Sequence, residues 1–129
     1  MPGVTYDTGA LVAADRNDRR MWALHAAFLA EEVVPTVPAP VLAGAWRGGA
    51  RQASLARLLA MCEVEAMTET QAKQIGILVG RSGHVNVVDV AVVDGAIRRG
   101  DGIVTSDPRD MERIADAAAT KIPIATIYI

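Results

Sequence analysis

Short apolar runs rich in β-branched residues alternate along the chain with longer stretches whose apolar positions recur every three or four residues. That alternation predicts βαβ units wound around a mostly parallel sheet. Strands are expected at residues 4–6, 33–37, 62–66, 102–105 and 122–129. Pro123 suits only the start or the edge of the last of these, because proline has no ladder donor. Residues 19–31 carry Met21, Trp22, Leu24, Ala27, Phe28 and Leu29 at helical spacing, with Asn17 as a candidate cap. Pro38 and Pro40 precede a helix over 41–47, and Leu55, Leu58 and Leu59 share one face of a helix over 52–61. Thr68 to Gln71 has capping-box spacing and opens a helix to about residue 79; Asn86 to Asp89 has analogous spacing and opens one to about residue 99. Pro108 opens a helix over 109–118, and a short helix over 10–14 follows the first strand.

A length of 129 residues fits a single domain spanning 1–129, and 51% apolar with 22% charged residues is a globular composition. No apolar run approaches the roughly 18–20 residues of a membrane helix. The first strand begins so near the N-terminus that no secretory signal fits before it, so a cytoplasmic protein with no membrane partner is expected. Cys62 is the lone cysteine, and its apolar neighbours predict an inert buried thiol. The net charge of -2 excludes a strongly basic nucleic-acid coat but leaves room for a basic groove on one face. Eleven arginines against two lysines carry the positive charge, and Arg16, Arg19 and Arg20, then Arg47, Arg51 and Arg57, then Arg98 and Arg99 form clusters. Guanidinium forks suit phosphates, although any single cluster is better read as a solvated helix face.

Four aspartates, Asp7, Asp89, Asp107 and Asp110, lie where a strand or turn gives way to a helix. Taken singly, each is explained as a helix cap or a first-turn acid. Their convergence is not. In an open parallel sheet, ligands bind at strand carboxyl ends near the point where strand order reverses. If the first strand is central, with the second and third to one side and the fourth and fifth to the other, Asp7 and Asp107 flank that point. Asp89 opens the helix leading into the fourth strand, and Asp110 lies one turn after Asp107. Carboxylates about 4 Å apart repel by roughly 4 kcal/mol at an effective dielectric near 20, so such a cluster needs a cation or protons. Oxygen donors without a histidine or cysteine cluster point to Mg2+ or Mn2+. His25, within a helix, and His84, in a glycine-rich turn, are read as structural. A magnesium site of this kind engages phosphate oxygens, which points to phosphoryl transfer or phosphodiester hydrolysis with water as the nucleophile.

The sequence resembles the PIN-domain ribonucleases, and among them the VapC toxins of bacterial toxin-antitoxin pairs. Four segments carry the resemblance over essentially the whole chain: Tyr6-Asp7-Thr8-Gly9-Ala10-Leu11, Val41-Leu42-Ala43-Gly44-Ala45-Trp46-Arg47, Val88-Asp89-Val90-Ala91 and Val104-Thr105-Ser106-Asp107-Pro108-Arg109-Asp110. The resemblance implies a three-layer α/β/α domain with a five-stranded sheet in the order 3-2-1-4-5. It also implies a Mg2+- or Mn2+-dependent endoribonuclease acting on structured RNA such as transfer or ribosomal RNA, held inactive by a VapB-like antitoxin. Asp7 and Asp89 match the family's main metal ligands and Asp107 its fourth acid, with Asp110 competing for that role. Thr8, Thr105 and Ser106 match polar positions that bind the carboxylates or phosphate, while Arg47 and its neighbours would orient the RNA backbone.

One departure stands out. The family places an acid in the third helix where this chain has Gly44. Glycine costs about 1 kcal/mol relative to alanine in a helix interior, so helix stability is not its purpose. It reflects natural divergence, a disabling substitution or close approach of a neighbouring helix. The leading expectation is therefore an endoribonuclease toxin of low or unusual activity, and the alternative is an impaired PIN module that binds RNA or antitoxin without efficient cleavage. A phosphoacceptor receiver domain is disfavoured, since paired acids after the first strand and a lysine after the late strands are missing. Trp22, Phe28 and Trp46 are expected in the core, or else on a homodimer or antitoxin surface.

Overall fold

The computed structural model describes residues 3–126. Its strands are β1 (Val4–Tyr6), β2 (Thr36–Pro38), β3 (Glu63–Glu65), β4 (Gly102–Thr105) and β5 (Ile124–Thr126). The helices are α1 (Thr8–Asp15), α2 (Arg19–Ala30), α3 (Ala39–Ala45), α4 (Ala53–Ala60), α5 (Glu69–Ser82), α6 (Val87–Arg99) and α7 (Pro108–Ala117), with a 3-10 turn at Ala50–Gln52. The sheet order is β3-β2-β1-β4-β5, and every described strand pair is parallel.

Parallel neighbours are joined by right-handed crossovers. The connections running from β1 out to β3 carry α1 to α4, and those running back through β4 to β5 carry α5 to α7, so the two groups cover opposite faces. Their packing agrees, since α1 touches α2, α3 and α4, while α5, α6 and α7 touch one another. The result is the expected three-layer α/β/α domain. Between the layers Tyr6, Leu11, Leu55, Leu58, Val90, Val92 and Ile103 are shut off from solvent. Each aliphatic side chain so buried contributes about 1.5–3 kcal/mol.

The boundaries differ from expectation for local reasons. β2 starts at Thr36 rather than at residue 33, because Glu32 is left-handed at φ 60 and the Val33 N–H is spent on Phe28 O at 2.9 Å, closing α2. Asp18, not Asn17, caps α2 by accepting from Met21 N at 3.0 Å; Asn17 takes the left-handed φ of 58 that turns the chain out of α1. α3 begins two residues early because Pro38 is its N-cap and Pro40 falls in its first turn, where no backbone donor is required. α5 runs on to Ser82 and stops at Gly83, which is left-handed at φ 69. The Thr68–Gln71 capping box and Pro108 perform as read, and Thr68, Asn86 and Asp107 are the N-caps of α5, α6 and α7. The expected last strand begins at Ile124, just past Pro123, and its residues 127–129 lie outside the described part of the chain.

The arginine clusters resolve differently. Arg99 reaches Glu65 at 2.8 Å, Asp101 at 2.9 Å and the Thr5 hydroxyl at 2.8 Å, while Arg98 reaches Glu65 at 2.7 Å. This pair braces the end of α6 against the strands. Arg57 stacks 5.3 Å from the centre of the Trp22 ring. Trp22 and Phe28 are half-buried, whereas Trp46 is exposed. Cys62 donates to Leu58 O at 3.3 Å, and burial pushes its thiol up to about 12.

Candidate metal and phosphate site

The sheet order puts the reversal between β1 and β4, whose registered ends are Tyr6 and Val104. Asp7 is the first residue beyond β1, and its backbone N–H bonds Val104 O at 3.1 Å. Its side chain caps α1 by accepting from Ala10 N at 2.8 Å, and its other carboxylate oxygen accepts the Thr105 hydroxyl proton. Asp7 is therefore a helix cap, and capping leaves its carboxylate at the strand-order reversal.

Asp7 is nearly sealed, at 4% exposure. Burial raises its pKa to about 6 and the Asp89 charge adds to the rise, against the lowering effect of hydrogen bonds from Thr105, Ala10 and the Ser106 backbone. Asp89, in the first turn of α6, lies near enough for its field to reach Asp7. Thr105 links the next pair, because its oxygen accepts from Asp107 N at 2.9 Å. Asp107 in turn caps α7, accepting from Asp110 N at 3.4 Å. A side-chain hydrogen bond with Asp107, then burial and the Asp107 charge, raise the pKa of Asp110.

The tightest grouping contains a residue that the sequence reading set aside. His84, Asp89 and Asp110 offer one ligand atom each, all within 4.8 Å of one another, and among the described residues no other trio of such donors is as close. His84 Nε2 lies 2.9 Å from Asp89 Oδ2. His84, expected to be structural, thus stands beside two of the acids, whereas His25 is a core residue, 2% exposed and 2.8 Å from the Tyr6 hydroxyl. The available signal was the Gly83 turn directly before the Asn86 cap, which folds residue 84 back over the first turn of α6. Of the two candidates for the last acid, Asp110 rather than Asp107 reaches Asp89. Asp107 is exposed, and Asp7 lies outside the trio.

The polar positions line the same end of the sheet. A Cβ on Gly9 would fall 2.0 Å from Ser106 Oγ and 2.8 Å from Ser106 Cβ, so the start of α1 sits directly against the β4–α7 loop. A Cβ on Gly44 would meet Thr8 Oγ1 and Cγ2 at an ordinary 3.5 Å. Close helix approach is therefore not the reason for Gly44, and any side chain there would start beside Thr8 at the rim of the cleft. Arg47 folds over the end of α3, donating to Trp46 O at 2.7 Å and to Ala43 O and Gly44 O at 3.2 Å. Its exposed guanidinium stands next to the Gly44 position.

These residues fit a divalent cation. Carboxylates from α6 and α7 meet the His84 imidazole, and the buried Asp7, its pKa raised to about 6, lies within the field of Asp89.

No protein-family model and no curated protein sequence matches the chain. Solved structures do. VapBC2 from Rickettsia felis, bound to a DNA fragment from their promoter, superposes with a TM-score of 0.71 at 18% identity, covering 96% of this chain and 98% of that one. A Pyrobaculum aerophilum protein gives 0.66 at 17% identity, covering 95% of this chain and 83% of that one. DNA-bound VapBC from Salmonella typhimurium gives 0.64 at 22% identity, covering 98% of each. At such identities the likeness is one of fold, and it bears out the PIN-like architecture expected from the sequence.

Proposed function

We propose that this chain, with its PIN-like fold, is the toxin of a type II toxin-antitoxin pair and hydrolyses RNA phosphodiesters at a carboxylate-held Mg2+ or Mn2+ site. The observation that carries the reading is the convergence of Asp7, Asp89 and Asp110 on the strand-order reversal between β1 and β4. Chance placement of helix caps does not produce an electrostatically linked set at the one place where this sheet type binds ligands.

Asp7, Asp89 and Asp110 would hold the cation, with Asp107 behind Asp110. When bound, such an ion polarises a phosphate oxygen and makes water a better nucleophile. Thr105 fixes the Asp7 carboxylate through its hydroxyl and ties the start of α7 to the same oxygen. Ser106 and Thr8 would hydrogen-bond a phosphate at the cleft rim. Arg47, with five N–H donors and an exposed head, would hold the RNA backbone. The partners that go with this reading are a structured RNA, a VapB-like antitoxin and a second copy of the chain, in the cytoplasm. The Rickettsia and Salmonella VapBC structures favour the antitoxin.

Gly44 favours a second reading, a PIN module that binds RNA or antitoxin without efficient cleavage, because it leaves the Thr8 side of the cleft without a carboxylate. Purified protein incubated with total RNA in Mg2+, Mn2+ or chelator separates the two. Cation-dependent fragments that vanish in Asp89→Asn fit the nuclease. Equal cleavage in chelator sinks it, and intact RNA under every condition favours the binding module.

A further inference from the structure

We infer that His84 is a direct nitrogen ligand of the cation site, which biases it toward Mn2+ over Mg2+. The inference rests on the metal-site reading above and goes beyond it, since nothing in an all-carboxylate site calls for an imidazole.

His84 Nε2 and Asp89 Oδ2 are 2.9 Å apart. An octahedral cation with bonds of about 2.1 Å spaces adjacent ligands about 3.0 Å apart and opposite ligands about 4.2 Å apart. The His84–Asp89 spacing matches that of two neighbouring ligands of one cation, and Asp110 offers an oxygen within 4.8 Å of both. The ring is held in place. Gly83 supplies the left-handed turn at φ 69, Ser82 Oγ accepts the His84 backbone N–H at 3.1 Å, and the side chain is only 19% exposed. The three donors come from the α5–α6 turn, α6 and α7, so the geometry depends on tertiary packing rather than on one flexible loop. Imidazole nitrogen raises affinity for transition metals relative to Mg2+, which prefers oxygen alone.

The same 2.9 Å separation is also that of a hydrogen bond in which His84 only orients Asp89. The two roles differ in what a bound ion senses. Tag-free full-length protein loaded with Mn2+ alone is expected to show imidazole 14N coupling in pulsed electron paramagnetic resonance. His84 or His25 must be its source, and His25 is sequestered against Tyr6. In His84→Gln the coupling disappears. Competition between Mn2+ and Mg2+, followed calorimetrically, loses roughly tenfold of its Mn2+ preference while Mg2+ affinity changes little. Bound Mn2+ without nitrogen coupling in the parent, or an equal loss for both ions in His84→Gln, overturns the inference and leaves the carboxylate site standing. If the parent binds neither ion, the inference and the metal-site reading both fall.

Discussion

The Thr105 hydroxyl donates to the buried Asp7 carboxylate from the neighbouring strand, and its oxygen also accepts the Asp107 N–H at 2.9 Å. One side chain thus satisfies the end of β1 and the start of α7. Thr105→Val keeps the shape and removes both bonds. A buried carboxylate left without its donor costs about 1–3 kcal/mol. Urea unfolding at neutral pH is expected to show a loss of that size, and an unchanged midpoint would mean that the hydroxyl does not hold Asp7.

The raised pKa of Asp7 gives a pH signature in chelator. A carboxyl whose folded pKa is about 6, against an ordinary 3.8, contributes stability fully present below about pH 4 and lost as pH rises through 6. The shift of about two units corresponds to about 3 kcal/mol at most. Asp7→Asn should match the parent at pH 4 and exceed it in stability at pH 7, as read from denaturant midpoints at both values. Saturating Mn2+ should stabilise the parent more at pH 7 than at pH 5, because the ion takes the place of the proton.

Two glycines give opposite expectations. Gly9→Ala drives a methyl into Ser106, with contacts of 2.0 and 2.8 Å to relieve, and should cost about 1–3 kcal/mol while loosening the β4–α7 loop. Gly44→Ala meets only ordinary contacts at 3.5 Å and should stabilise α3 by about 0.5–1 kcal/mol. Thermal melts of the two variants side by side test the contrast.

Gly44→Glu asks whether the missing carboxylate limits catalysis. The side chain starts beside Thr8 at the cleft rim with room for its Cβ. RNA cleavage by this variant is expected to exceed that of the parent at equal Mn2+, and rates no higher than the parent would remove Gly44 as the explanation for low activity.

The sheet order, the position of Asp7 at the β1–β4 reversal and the caps at Thr68, Asn86 and Asp107 were legible because each rests on local chemistry or on a topological rule. The nearness of His84 to both Asp89 and Asp110 was not legible. Its partner Asp89 is near in sequence, but its third neighbour, Asp110, arrives through the packing of α7 beside α6, which no spacing encodes. The fate of Arg98 and Arg99 was hidden for the same reason, since Glu65 lies more than thirty residues away. Gly44 remained ambiguous in sequence until the space around its Cα was known.

α6 carries Asp89 in its first turn and Arg98 and Arg99 in its last, and thirteen residues at 1.5 Å each make it about 20 Å long. It is therefore a strut with its clamp at one end and the candidate site at the other. An axial slip at the Glu65–Arg99–Asp101 clamp would reach Asp89 almost undiminished. Substitutions far from the cleft, at Arg99 or Thr5, would then detune the carboxylate spacing without touching a single residue that lines it.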